Sequence, residues 1–229
     1  MTAPHRPTPD HGAALAQYRR RAGVYDLELA WFESVRRRAV ERLAPRPGDV
    51  VLDVGCGTGL SLPLLRQGIG AKGRIVGIEQ SPEMIEKARE RVARHGWKNV
   101  RLLAASAEAA RIAVTADAAL FHFTHDILQE PLALDNVMRN LRPGASVVAC
   151  GLQWARFWAW PVNLFVLGAA RHSVTSLDGL GQPWGHLAEH LAELRVDTVM
   201  AGGVFIASGV LRRPLMQSKQ RPKTPHEDS

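Results

Sequence analysis

Short apolar runs alternate with longer amphipathic stretches through the middle of the chain. Runs rich in Val, Ile, Leu and Ala, bounded by Gly, Pro or polar residues, are typical of strands buried on both faces. Stretches with apolar residues three or four apart predict helices. The alternation predicts a parallel sheet with helices on both faces. The predicted strands are 50–54, 74–79, 100–104, 116–123 and 145–152, and the predicted helices between them are 60–67, 81–95 and 129–141.

The C-terminal part predicts a different pairing. Two short β-runs, 195–200 and 204–211, flank the tripeptide Ala201-Gly202-Gly203. A three-residue connection that contains Gly favours a hairpin, so we expect the final strand to lie antiparallel at the sheet edge. The predicted fold is α/β: a doubly wound, seven-stranded, Rossmann-like sheet with an antiparallel last strand.

The flanking segments complete the predicted organisation. Residues 13–44 are rich in Ala, Leu, Arg and Glu, which predicts an N-terminal helical cap. Residues 1–12 and 214–229 have the Pro, Lys and polar composition of disordered tails. The domain between them is expected to span 45–213, with an aromatic-rich insertion at 153–185.

Composition and charge narrow the classes of protein. The net charge is +7 over 229 residues, a surplus that can attract nucleic acid, an anionic membrane or an acidic substrate. Much of it lies in residues 19–21, in 36–38 and in the last twenty residues, and we interpret it as solvated helix faces and a basic tail. Two cysteines with no paired spacing argue against a disulfide framework or a zinc site. The start, MTAPHRPTPDHG, lacks the apolar core of a signal peptide, and no apolar run is long enough to span a membrane, so we expect a cytoplasmic protein.

A glycine turn follows the first predicted strand. Its spacing is G-x-G-x-G (Gly55, Gly57, Gly59), whereas the dinucleotide fingerprint G-x-G-x-x-G needs a glycine where this chain has Leu60. The second predicted strand ends at Glu79, at the distance along the chain where an acid meets ribose hydroxyls. The pattern predicts a nucleoside-like ligand at the carboxyl ends of these strands.

Three ordered motifs carry a family resemblance: DVGCGTG, GIEQSPEMIEKARER and LRPGASVV. Together, over residues 45–152, they resemble the class I S-adenosylmethionine-dependent methyltransferases. The resemblance implies S-adenosylmethionine as cofactor, with Asp53 and the glycines along its methionine and ribose portion, Glu79 on the ribose and Met84 on the adenine. The full set of expected cofactor residues is Tyr25, Asp53, Gly55, Cys56, Gly57, Gly59, Glu79, Gln80, Met84, Ser106, Ala107, Glu108 and His122.

The segment expected to meet the adenine amino group departs from the family pattern. The family often has an acid after the third strand, whereas this chain reads LLAASAEAA. Ser106 takes the expected place, and a neutral serine makes a weaker hydrogen bond than a carboxylate. The contact therefore comes either from Ser106 with the Ala107 backbone or from Glu108.

The turn after the fourth strand, LFHFTHDILQEP, is expected to face the methyl acceptor. It lacks the Asn/Asp-Pro-Pro-aromatic turn of many base and amide methyltransferases, and it lacks a nucleophilic cysteine. We predict His125 as a general base, with Asp126 either orienting it or capping the next helix. The alternatives are that His125 only packs on the cofactor, that His122 is an ordinary strand histidine, or that these three side chains hold a metal ion.

The insertion WARFWAWPVNLFVLGAARH is the segment least explained by the family. Three interpretations are open for it: an apolar lid over the acceptor, a surface for peripheral membrane contact, or a helix that only packs on the sheet. The expected function is methyl transfer to a small or lipid-like molecule, with no specific nucleic acid as partner. A nucleic-acid methyltransferase and a non-catalytic cofactor-binding module remain as alternatives.

Overall fold

A computed structural model describes residues 32–155, 163 and 180–212 of the chain. Seven strands form one sheet in the order β3-β2-β1-β4-β5-β7-β6. The strands are β1 (Val50–Val54), β2 (Arg74–Glu79), β3 (Val100–Ala104), β4 (Ala116–His122), β5 (Leu141–Leu152), β6 (Leu191–Val199) and β7 (Val204–Leu211). The helices are α1 (Glu33–Leu43), α2 (Leu62–Ile69), α3 (Pro82–Arg94), α4 (His125–Leu128), α5 (Pro131–Met138) and α6 (Gly185–His190).

The predicted fold class is confirmed, with one correction to the strand order. Strands β1 to β5 are parallel, and β7 is antiparallel to its neighbours. The prediction that the last strand lies at the edge was wrong, because β7 sits between β5 and β6. The first half of β7 is fully buried, whereas β6 alternates between half-buried and exposed residues. The more polar strand therefore takes the edge, where one side faces water.

Most element boundaries agree with the pattern, and proline explains a clear difference. The predicted helix 129–141 was too long. Helix α5 spans Pro131–Met138, because Pro131 starts it and keeps Glu130 extended, and the separate short helix α4 precedes it. The carboxylate of Glu130 accepts a hydrogen bond from the Leu132 amide at 3.3 Å, which caps α5. At α3, the Ser81 hydroxyl accepts a hydrogen bond from the Met84 amide at 3.3 Å, which caps the start of that helix.

Two apolar layers cover the two faces of the sheet. Because successive strand residues point to opposite faces, Val51 packs with α1 and α2, whereas Leu52 and Val54 pack with α5 and α6. The helices hold the carboxyl ends of β1, β2 and β4 in fixed positions. No helix within the described part of the chain is long and apolar enough to cross a membrane.

The cap and the insertion are described only in part. Helix α1 lies across β4 and β5 and buries Val35, Ala39, Val40 and Leu43. Residues 13–31 of the predicted cap, both predicted tails and most of the insertion lie outside the described residues. Their predicted structures stay predictions.

Candidate functional site

A polar pocket opens where the strand order reverses. Strands β2 and β3 lie on one side of β1, and β4 and β5 lie on the other, so the strand order reverses between β1 and β4. Ligands of open α/β sheets bind at such a switch point. The empty volume there is about 340 Å³. Its lining combines the glycine turn with the ends of β1 and β4 and one side chain of α1: Arg36, Asp53, Gly55, Cys56, Gly57, Thr58, Leu60, Ser61, His122 and Phe123.

The glycine turn brings backbone close to this space. Gly55 has φ +67°, and a Cβ added there would overlap the Thr124 side chain. Gly57 has φ +55°, and no atom lies within 4 Å of where its Cβ would stand. Gly55 is thus needed for close packing inside the protein, whereas Gly57 leaves room for a ligand to approach the backbone.

Glu79 is fixed at the end of β2 by the turn itself. Its Oε2 accepts a hydrogen bond from the Gly57 amide at 2.9 Å, and its Oε1 accepts from the Ser81 amide at 2.8 Å. Burial raises the pKa of Glu79, and these hydrogen bonds partly oppose the rise. Each carboxylate oxygen keeps a second lone pair, so the group can still accept hydrogen bonds from a ligand.

Asp53 is a buried carboxyl group beside the pocket. Its side chain is 1% exposed, and its Oδ2 has no hydrogen-bond partner within the described part of the chain. Burial raises the pKa of Asp53 to about 7; Arg36 opposes this rise, and Glu79 adds to it. A nearby cation would therefore shift Asp53 strongly toward its ionised form.

Arg36 supplies a buried positive charge to the same pocket. The side chain is 2% exposed, and its guanidinium pairs with Glu33 one turn earlier. Among the described residues, its Nε and Nη2 atoms are buried without a hydrogen-bond partner. An arginine with free donors in a pocket is suited to an anionic group such as a carboxylate.

The interpretation of residues 36–38 as a solvated face was therefore wrong for Arg36, although Arg37 and Arg38 are exposed. Arg36 stands four residues after Phe32 and seven before Leu43, on the apolar stripe of α1. That spacing is the sequence signal that identifies the inward-facing arginine.

His122 and the residues after β4 separate into two environments. Burial and the neighbouring Arg36 lower the pKa of His122 to about 3, so its imidazole is neutral and a weak base at neutral pH. His125 lies one turn further, 8% exposed, and lines a second pocket of about 270 Å³. The two histidines thus line different pockets, His122 the pocket at the glycine turn and His125 the second one.

Two alternatives for this segment do not hold. Thr124 occupies the N-cap position of α4 and Glu130 that of α5, so Asp126 caps neither helix. Within the described ranges, no group of three or more His, Cys, Asp or Glu side chains is arranged to hold a metal ion. His122, His125 and Asp126 therefore do not form a metal site.

The predicted adenine-side residues do not line the 340 Å³ pocket. Met84 is buried within α3, and Gln80 is half-buried. The segment with Ser106, Ala107 and Glu108 leaves β3 beside Glu79, since the Ala105 amide donates to the Glu79 carbonyl oxygen at 3.1 Å. Tyr25 lies outside the described residues.

Asn136 on α5 holds the loop that follows β3. This residue was not identified from the sequence. Its Nδ2 donates to the carbonyl oxygens of Ala107 at 2.8 Å and Ala110 at 3.0 Å. No local pattern links α5 to the loop after β3, because the contact joins residues 26 and 29 positions apart.

Comparison with known proteins decides the family. A family model described as a methyltransferase domain matches residues 45–159, half of the chain. The chain belongs to the class I S-adenosylmethionine-dependent methyltransferases. This confirms the resemblance seen in the three sequence motifs.

Individual relatives of the methyltransferase match over parts of its length. Aklanonic acid methyltransferase DauC from Streptomyces sp. (strain C5) is 36% identical over 88 residues, which cover 38% of this chain and 40% of that protein. The 23S rRNA (uracil(1939)-C(5))-methyltransferase RlmD of Shewanella sp. (strain ANA-3) is 44% identical over 64 residues, which cover 28% of this chain and 13% of that protein. The chain thus matches less than half the length of either relative.

A solved structure shows the same fold. The N-methyltransferase NodS from Bradyrhizobium japonicum, in complex with S-adenosyl-L-homocysteine, superimposes with a TM-score of 0.56 at 19% identity. The match covers 80% of this chain and 88% of that chain.

The buried carboxyl group of Asp53 predicts a pH-dependent stability difference. Because the pKa of Asp53 is about 7 in the folded protein and 3.8 in its ordinary state, the folded protein binds the proton more strongly. Asp53 therefore lowers stability as the pH rises from about 4 to about 7. We expect the Tm of Asp53→Asn minus that of the wild type to increase from about pH 5 to about pH 8.

Thermal melts of the ligand-free protein test this expectation. Asp197→Asn is the control, since its side chain is 48% exposed and should change the Tm difference much less. A Tm difference for Asp53→Asn that is flat or falls with pH would contradict the assignment of a buried, protonated Asp53.

Proposed function

We propose that this protein transfers a methyl group from S-adenosylmethionine to a small-molecule acceptor. The observation that supports this most is the pocket at the switch point, which Arg36 and Asp53 line and whose open glycine turn is hydrogen-bonded to Glu79 through the Gly57 amide. The cofactor has a carboxylate, an ammonium group, a sulfonium and a ribose. The arginine and the two carboxyl groups are suited to bind its carboxylate, its ammonium group and its ribose hydroxyls.

The charges assign a role to each side chain. The Nε and Nη2 donors of Arg36, which have no partner among the described residues, suit the cofactor carboxylate. Asp53 suits the ammonium group, and ionisation of Asp53 is favoured by such a cation. Glu79 keeps lone pairs for the ribose hydroxyls. Each buried charge of the pocket then has a partner, which buried charges require.

His125 is proposed as the group that removes a proton from the acceptor. The bound cofactor supplies an electrophilic methyl group, and the protein must hold the acceptor close and in line in a site shielded from water. His125 begins α4 and lines the pocket beyond Phe123, whereas His122 is too weak a base for this work. Asp126, the next residue, is proposed to orient His125.

A small-molecule acceptor is favoured over a nucleic acid. The relative DauC is named for aklanonic acid, whereas RlmD is named for a 23S rRNA base. The pocket beside His125 is lined mainly by apolar side chains, which suits an apolar small molecule better than a charged polynucleotide. The predicted lid residues Trp158 and Trp160 lie outside the described residues, so their contribution remains a proposal.

Removal of the Glu79 carboxylate should weaken cofactor binding. In calorimetry, S-adenosylmethionine and S-adenosylhomocysteine should both bind the wild type, and NAD should not. Glu79→Ala should weaken the binding of S-adenosylmethionine and of S-adenosylhomocysteine by at least roughly ten-fold, because a charged hydrogen bond contributes about 1.5–3 kcal/mol. Glu86→Ala is the control, since Glu86 is exposed on α3 and pairs with Arg89 on the same helix. Unchanged affinity in Glu79→Ala would contradict the ribose assignment.

His125→Ala should lower turnover without changing cofactor affinity. Loss of a general base costs roughly a hundred-fold or more in rate, and the base acts on the acceptor rather than on the cofactor. The acceptor is found by incubating the enzyme with labelled S-adenosylmethionine and a cell extract and identifying the labelled species.

Rates on that acceptor are then compared between His125→Ala and the control His186→Ala, whose residue lies on α6 away from either pocket. Near-normal turnover in His125→Ala would show that His125 only packs. Labelling confined to RNA would favour a nucleic-acid methyltransferase, and no labelling would favour a non-catalytic module.

A further inference from the structure

A second pocket lies at the carboxyl ends of β4 and β5, beside the start of β7. It encloses about 270 Å³ of space, part of which is open to solvent. No Asp, Glu, Lys or Arg is among the described residues that line it. The lining residues are Phe123, His125, Leu128, Cys150, Gly151, Leu152 and Phe205.

Phe123 forms the wall between this pocket and the cofactor pocket, because it lines both. It has φ +56°, a left-handed conformation that is unusual for a bulky residue and is concentrated at functional sites. Its amide donates to the Cys150 carbonyl oxygen at 2.8 Å, and its ring packs on Phe32 at 4.6 Å between centroids. A molecule in the second pocket therefore sits directly beside the cofactor pocket.

The side chains that line the second pocket disfavour a charged occupant. Burial raises the pKa of the Cys150 thiol to about 12, so the thiol stays neutral at ordinary pH. A charged group in such surroundings would lose its hydration without gaining an opposite charge. Besides the Cys150 thiol, the polar side chain among the described lining residues is the imidazole of His125.

Gly151 and Phe205 limit the size of the occupant. A Cβ added at Gly151 would lie 3.3 Å from Cε1 and 3.6 Å from Cζ of Phe205. The Phe205 ring is 1% exposed, and Trp184 packs on it from behind with centroids 5.1 Å apart. The ring is thus held in place, so any side chain at position 151 takes space from the pocket.

We propose that this apolar pocket binds the methyl acceptor, a neutral ring-containing molecule with one hydroxyl group directed at His125, and that Gly151 sets the size of acceptor admitted. The inference rests on the proposed function. In the reaction, the acceptor oxygen forms a bond to the methyl carbon, the bond from that carbon to the cofactor sulfur breaks, and the hydroxyl proton passes to His125.

Binding of a model acceptor tests the proposal without knowledge of the natural one. The probe is 2-naphthol, and the charged comparison is 6-hydroxynaphthalene-2-sulfonate, both titrated by calorimetry with S-adenosylhomocysteine at saturation. We expect 2-naphthol to bind the wild type and the sulfonate to bind at least roughly ten-fold more weakly, because no Lys or Arg is among the described residues that line the pocket.

Gly151→Val should weaken 2-naphthol binding by roughly ten-fold or more, since the added carbons overfill the pocket. Gly181→Val is the matched control, because no atom lies within 4 Å of its Cβ position. If Gly151→Val does not fold, judged by its Tm, Gly151→Ala should show a smaller weakening in the same direction.

The outcomes separate this inference from the proposed function. If S-adenosylhomocysteine binds but 2-naphthol does not, or if the position 151 variants bind 2-naphthol as the wild type does, the pocket assignment is overturned and the methyltransferase proposal stands. Equal binding of the sulfonate overturns the neutral-acceptor class. If S-adenosylhomocysteine itself does not bind, both proposals fail.

Discussion

The burial of Arg36 and Asp53 beside the same glycine turn is the constraint on which the site depends. An arginine 2% exposed and a carboxyl group 1% exposed are both costly to take out of water. Helix α1 must lie across the sheet for Arg36 to reach the end of β1, and the turn must leave Gly57 open for a ligand to meet both groups. Helix α1 therefore lines the pocket proposed for the cofactor and also covers the apolar core.

Local sequence patterns were sufficient to predict much of the fold and the place of the candidate site in it. β1, β2 and β3 were predicted to the residue, because each is an apolar run bounded by breakers. The sequence placed Glu79 beside the glycine turn because both belong to one strand-helix-strand unit, β1-α2-β2. The hydrogen bond from the Gly57 amide to Glu79 agrees with that pairing.

The remainder depends on packing between distant segments. The burial of Arg36 follows from which face of α1 meets the sheet, and charge counts along the chain hide that face. The position of β7 between β5 and β6 depends on which of β6 and β7 is the more polar strand and so lies at the edge of the sheet. The pocket beside His125 combines residues of α4, β5 and β7, so no single stretch of sequence shows its apolar character.

The most direct test of the central claim compares two ligands that differ in the amino-acid portion. S-adenosylhomocysteine has the carboxylate proposed for Arg36, whereas 5′-methylthioadenosine lacks it. By calorimetry, Arg36→Met should weaken the binding of S-adenosylhomocysteine by roughly ten-fold or more and leave the binding of 5′-methylthioadenosine nearly unchanged. Arg37→Met is the control, because Arg37 is exposed. An equal loss for both ligands, or no loss for either, would contradict the role of Arg36 in holding the cofactor.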